Sequence, residues 1–389
     1  MTGHLHSAAK WALLGLWFLG LACTMRPRFA PLDRSVDIAF PRRNVRPEIA
    51  WEIKLASPVT YLRPFNQNAL LVASHRGQLY RLNLETGKRT SGLWQVTRKA
   101  ITSLVVAEST GSLYFASAQA RKVWGYDLLR GKKLWQRKGP VIDGPLAVHG
   151  SLLLAAGATG QLTAFDLADG TVRWQRKLPG RVYRGVRRWA DDLLVLNDRG
   201  SLYSFDLGEI AAGGDEEDHT TAPAWRRDLE VDATAVLALG PGLLVVGDSQ
   251  GRLFALEPGN GQTRFETNLS APIYSRPLVT EGYIVIAAAD GAVLGLHAGD
   301  GSVVWEYAGE GLVNLPVLAW GSNPAVAVVI FSRGVIIGLD IATGERLWRH
   351  ELEGPIQLAA LTPSGVLLVR RHKWLQYITL VPQQPGAAQ

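Results

Sequence analysis

The stretch VIAAADGAVLGLHAGDGSVVW, residues 285–305, reads as three short strands joined by two tight turns, at Asp290-Gly291 and Asp300-Gly301. Small and apolar residues fill the arms, and a glycine stands where a two-residue turn needs a positive φ. The phrase returns as LLLAAGATGQLTAFDLADGTVRW (152–174), LVVGDSQGRLFALEPGNGQTRF (244–265) and AVVIFSRGVIIGLDIATGERLW (327–348). From turn glycine to closing aromatic, each copy runs 14 residues: 160 to 174, 251 to 265, 291 to 305 and 334 to 348. Looser copies end on Trp94, Trp135 and Trp225, and IAWEIKL (49–55) supplies a closing phrase with no partner strands before it. A period of about forty residues with four strands per unit predicts an all-β chain folded as a β-propeller of four-stranded antiparallel blades.

The closing aromatics Trp51, Trp94, Trp135, Trp174, Trp225, Phe265, Trp305 and Trp348 are spaced by 43, 41, 39, 51, 40, 40 and 43 residues. That spacing occupies nearly the whole 389-residue chain and leaves no room for a separate catalytic domain. At the far end PIQLAAL, GVLLVR and WLQYITL form three strands that lack a closing tryptophan. The N-terminal phrase is expected to complete this last blade, which removes both free sheet edges. The count is then eight, with seven as the competitor if the terminal unit is a cap.

Residues 1–22 carry Lys10, an apolar run over Trp11–Leu19 and a small residue, Ala22, before Cys23. This reads as a secretory signal, too short to span a membrane. Residues 23–47, with four prolines and six arginines, read as a basic tether; residues 48–381 as the propeller; and 382–389 as a tail. Cys23 is the single cysteine, so no disulfide or multi-cysteine metal site forms within the chain. The net charge of +7 favours anionic partners, either lipid headgroups or acidic protein faces. Between Leu207 and Trp225 an insertion contains the acidic run Asp215–Asp218, expected to be a solvated loop.

Before each hairpin lies an innermost strand. Aligned on a shared proline or its replacement, one column holds Leu62, Thr102, Asp143, Arg184, Ala233, Ser275, Asn314 and Gln357, expected near one mouth of the central channel. The strand RVYRGVRRW carries Arg181, Arg184, Arg187 and Arg188, the densest arginine cluster in the repeats. Asp143, Arg181, Arg184, Arg187, Arg188, Asn314 and Gln357 are therefore the candidate partner or channel-mouth residues. No nucleotide-binding glycine motif, zinc-protease helix or nucleophile elbow is present, and the aspartates recur at repeat positions that mark turns. No catalytic residue, metal site or cofactor is expected.

The clearest copies, Gly160–Trp174 and Gly334–Trp348, resemble the repeat of the pyrroloquinoline-quinone family of propellers. The resemblance implies that each closing aromatic docks against the next blade, near its turn glycine. Phe265 lacks the indole N–H, and the second repeat has Ala120-Arg121 in place of the turn glycine, so those interfaces should be weaker. Signal, cysteine and tether before such a ring resemble the BamB family, lipoprotein subunits of the machinery that assembles outer-membrane β-barrels. Leu21-Ala22-Cys23 is similar to a lipobox, with Gly20 where the motif has a large aliphatic residue. The resemblance implies diacylation of Cys23, anchoring at the periplasmic face of the outer membrane, and a non-enzymatic scaffold that binds the barrel-forming subunit. A ligand-sensing propeller and a reduced quinoprotein dehydrogenase are the alternatives.

Overall fold

The computed structural model describes residues 45–382, apart from 66–67, 91–93, 109, 129, 143, 183–184, 213–221, 232–235, 270, 314 and 321–325. Residues 1–44, with the signal, Cys23 and most of the tether, lie outside the described residues, as do Asp143, Arg184, Ala233 and Asn314.

The strands form eight antiparallel sheets of four strands each. Blades 1 to 7 comprise residues 59–95, 103–138, 146–177, 185–228, 236–268, 278–307 and 318–351. Blade 8 takes its inner three strands from residues 356–382 and its fourth from the strand Val45–Lys54. That strand pairs antiparallel with Trp374–Pro382, from Val45 opposite Pro382 to Lys54 opposite Trp374, with an irregularity at Ile49/Trp51. Arg370 Nη2 reaches Glu52 Oε2 at 2.9 Å, and Gln376 donates to the same oxygen. The ring is thus closed by the N-terminal strand. The count is eight, so the seven-bladed alternative fails. The closing strand begins at Val45, inside the span read as tether.

The core lies between blades. Eight buried apolar clusters each join residues of two neighbouring blades, one cluster per seam. The closing aromatics sit on these seams. A Cβ built on Gly87 would lie 2.7 Å from the Trp51 indole, one on Gly170 2.5 Å from Trp135, and one on Gly344 2.6 Å from Trp305. These second-turn glycines have φ of 66, 74 and 71°. Each is therefore required twice, for its backbone angle and for the ring lying on it. Trp51, Trp135 and Trp305 also donate Nε1–H to the next blade, to Leu84 O at 2.7 Å, Leu167 O at 2.8 Å and Ile341 O at 2.8 Å. Among the described residues, buried Trp174, Trp348 and half-buried Trp225 have no partner for Nε1.

Two local features differ from the sequence reading, and a third agrees with it. The insertion of blade 4 does not begin as a loop: Leu207–Ala212 is a helix, with the Asp206 carboxylate accepting the Glu209 N–H at 2.9 Å as its N-cap. Its buried Leu207 and Ile210 join the cluster of Trp174 and Phe205 at the seam of blades 3 and 4. The acidic run Asp215–Asp218 lies outside the described residues. The innermost strands of blades 6 and 7 shrink to Leu278–Val279 and Leu318–Trp320. Pro277 and Pro316, one or two residues upstream, have no N–H to give a ladder. In blade 2, Arg121 takes the turn glycine's place at φ 51°.

Candidate partner-binding face

The arginine cluster of RVYRGVRRW does not converge. Arg181 is exposed beside the first turn of blade 4, where its backbone N–H donates to Asp198 Oδ1 at 2.7 Å. Arg188 is exposed at the other end of the strand Gly185–Trp189. Its Nη1 lies 3.2 Å from His149 Nδ1, and His149 Nε2 lies 3.8 Å from Asp191 Oδ1. Arg181 lies by Asp198, past the Leu196 end of the paired strand Asp192–Leu196, and Arg188 lies at the other end of that pair, so the two charges stand at opposite ends of the blade. Arg187 turns inward between them, half-buried, and donates from Nη2 to Leu237 O on the inner strand of blade 5 at 2.8 Å.

The described members of the channel column are tied into the blades. Leu62 is buried in the seam of blades 8 and 1. Thr102 Oγ1 donates to Ile142 O at 2.7 Å, and Ser275 Oγ donates to Ala287 O at 2.9 Å. Gln357 donates to Pro355 O at 3.0 Å and accepts the His372 N–H at 2.9 Å, so both ends of its amide serve the local loop. Asp143, Arg184 and Asn314 lie outside the described residues. Among the described residues no three His, Cys, Asp or Glu side chains gather to hold a metal, and no helix is long and apolar enough to cross a membrane.

A basic surface emerges elsewhere on the same blades. The outer strand of blade 2, Lys132–Lys138, exposes Lys132, Lys133, Leu134, Arg137 and Lys138. That of blade 3, Val172–Lys177, exposes Val172, Arg173 and Lys177. That of blade 4, Trp225–Asp228, exposes Arg226 and Arg227. Some of this charge is matched, by Arg173 with Asp166 at 2.9 Å and Arg226 with Asp228 at 3.0 Å. Lys132, Lys133 and Lys138 have no carboxylate partner among the described residues. By contrast the outer strand of blade 6, Val303–Tyr307, is VVWEY, with Val303 and Val304 exposed. Each outer strand is a sheet edge with unpaired backbone groups, and lysine on such an edge opposes indiscriminate pairing. The sequence held this signal, in KKLWQRK and VRWQRK, but it becomes a surface only once each of these segments is the outermost strand of its blade.

A second arginine went unnoticed in the sequence. Arg276, on the segment leading to the inner strand of blade 6, is half-buried and lies within Coulombic reach of Arg187. Burial, and then the like charge of Arg276, depress Arg187 well below the usual guanidinium range; burial depresses Arg276. Guanidinium ionises so strongly that both stay charged.

Several solved structures share this architecture. The computationally designed protein Ika8 superposes with a TM-score of 0.70 at 15% identity, covering 84% of this chain and 98% of its own. BamB from Moraxella catarrhalis gives 0.67 at 14% identity, covering 86% and 99%. The C-terminal WD40 domain of Sif2 gives 0.65 at 12%, covering 87% and 99%. At these identities the likeness is one of fold. No curated protein matches the chain in sequence. The family model described as outer membrane protein assembly factor BamB matches residues 46–209 and 214–371, nearly the entire ring. The two halves of the match break only within the insertion of blade 4, and on this extent the chain belongs to the BamB family.

Proposed function

We propose that this chain is a non-enzymatic scaffold of the cell envelope, anchored by a lipid on Cys23 at the periplasmic face of the outer membrane. There it binds the barrel-forming subunit of the β-barrel assembly machinery and supports insertion of outer-membrane proteins. The observation that carries this reading is the family match over residues 46–209 and 214–371. The structure adds a rigid closed ring whose blades 2 to 4 offer a basic outer surface, suited to an acidic protein face. Arg181 and Arg188 extend that surface to the two ends of blade 4.

The test is a crosslinked pull-down of the native protein from detergent-solubilised envelopes, with the captured proteins identified by mass spectrometry. Recovery of a large barrel protein with periplasmic repeat domains is expected, and Arg181→Glu combined with Arg188→Glu should lower it. Capture of redox partners alone, or of no barrel component, would refute the assembly role. The anchor is tested separately: Cys23→Ser should move the protein from the membrane fraction to the soluble one.

A further inference from the structure

The turns before the outer strands of blades 3, 5 and 6 share one local geometry. Their central pairs are Asp169-Gly170, Asn260-Gly261 and Asp300-Gly301. In each, Oδ1 of the first residue accepts the backbone N–H two residues on, from Thr171 at 2.8 Å, Gln262 at 2.9 Å and Ser302 at 3.0 Å. The glycine between donates its N–H to Asp166 O, Glu257 O and His297 O, each at 2.9 Å. All three glycines have positive φ, 74, 69 and 75°, and each lies under an aromatic ring of the preceding blade, Trp135, Trp225 and Phe265. Only the chemistry of the first residue differs. Hydrogen bonds from the Thr171 N–H and hydroxyl hold Asp169 below the usual carboxylate range, and those from Ser302 do the same for Asp300. An ionised carboxylate resists a nucleophile at its carbon. Asn260 is a neutral amide in the same turn, exposed to water, and the glycine after it has no side chain to shield the backbone nitrogen. It belongs to the one Asn-Gly pair in the sequence.

We propose that Asn260 is a site of spontaneous covalent modification, deamidation through a cyclic imide, and that it weakens the seam of blades 4 and 5. The bond from Gln262 N–H folds the Asn260 side chain back along the turn and draws electron density from Cγ. The Gly261 nitrogen attacks Cγ, the N–Cγ bond forms, and the amide nitrogen departs as ammonia with the hydrogen of the Gly261 N–H. Water then opens the imide. Cleavage at Cγ gives an ordinary aspartate, which the turns of Asp169 and Asp300 show to suit this geometry. Cleavage at the main-chain carbonyl leaves isoaspartate, with the backbone running through Cγ and longer by a methylene. That lengthening shifts Gly261, over which the Trp225 indole lies so closely that an added Cβ would meet it at 2.7 Å.

Incubation of the folded full chain in mildly alkaline buffer, followed by peptide mapping with mass spectrometry, tests this. Conversion at Asn260 should run about tenfold or more faster than at Asn68, Asn83, Asn197 or Asn268, the ratio given by a modest difference in barrier. It should quicken as pH rises, because the attacking nitrogen must lose its proton. Asp169 and Asp300 should stay unaltered in the same sample. Ion exchange then separates the products, and an isoaspartyl methyltransferase marks the isoaspartate form. That form should melt below the unmodified chain, whereas Asn260→Asp should melt as the wild type does. The site is overturned if Asn260 stays intact in the folded chain while the urea-denatured chain converts, or if the other asparagines convert as fast. An isoaspartate form that melts like the unmodified chain overturns the effect on the seam. These readouts use the wild-type chain, so they stand even if Asn260→Asp fails to fold.

Discussion

At the seam of blades 6 and 7, Trp305 lies on Gly344 and donates Nε1–H to Ile341 O. At the seam of blades 3 and 4, Trp174 occupies the same place in its blade, but the glycine turn is replaced by the helix Leu207–Ala212, and among the described residues Trp174 Nε1 has no partner. Both indoles are buried, at 8% and 3% exposure. One seam is therefore held by burial and a hydrogen bond, the other by burial against a helix. Apolar burial is the common element, and the bond is an increment that the ring can forgo. Trp225 and Trp348 repeat the unbonded case, and Phe265 reaches a seam with no donor at all.

The largest test removes the common element. Trp305→Ala should destabilise the ring by about 3–5 kcal/mol in denaturant unfolding; a loss below about 1 would mean that the indole does not support the seam. Gly344→Ala should destabilise by about 2–3 kcal/mol, since the added Cβ meets the Trp305 ring at 2.6 Å and φ is 71°. Among the described residues the seam of blades 3 and 4 has no such glycine under its tryptophan, so alanine there has no counterpart effect.

Next come the hydrogen bonds themselves. Trp305→Phe should cost about 1 kcal/mol more than Trp174→Phe, because only the first change strands a buried carbonyl partner. Equal costs would show that the bonded and unbonded seams are energetically alike. Arg121→Gly should stabilise by about 1 kcal/mol, by relieving a left-handed residue that carries a side chain; an unchanged or lower melting temperature would place the weakness of blade 2 elsewhere.

The smallest effect concerns pH at the seam of blades 7 and 8. His350 follows the unbonded Trp348 by two residues and has an unpartnered Nε2. Burial, then the charge of Arg370, push its pKa below the usual histidine value of 6.5. The unfolded chain thus binds the proton more readily, and the stability this site gives above that value is lost as pH falls through the folded pKa. His350→Gln should flatten the fall in melting temperature between pH 7 and pH 5. An identical slope would assign the acid sensitivity to other groups.

The ring, its closure and its eight docking aromatics were legible because each is written into the forty-residue period. What the period does not encode is harder to see. Ile210 sits in an insertion dominated by glycine and acid, and only its burial against the Trp174 cluster shows why a six-residue helix persists there. The shortened inner strands had a signal in Pro277 and Pro316, whose missing N–H the repeat alignment passed over. The arginines misled by proximity in sequence: alternation along the strand separates Arg187 from Arg188, and Arg181 lies before that strand, beside Asp198. The contact Arg187 does make, with the Leu237 carbonyl of the next blade, is a relation that no single repeat contains.

Closure by the strand Val45–Lys54 also sets an order of events during biogenesis. Its partner, Trp374–Pro382, is the last described part of the chain to be made. Until then the first strand has no mate, and blade 1 presents an uncovered flank to the surroundings. Joining two ends so far apart in sequence is slow, since the intervening chain must be ordered before the contact repays it. The nascent protein therefore passes through an open, edge-bearing state that can recruit a foreign strand, and it becomes inert only at the final pairing.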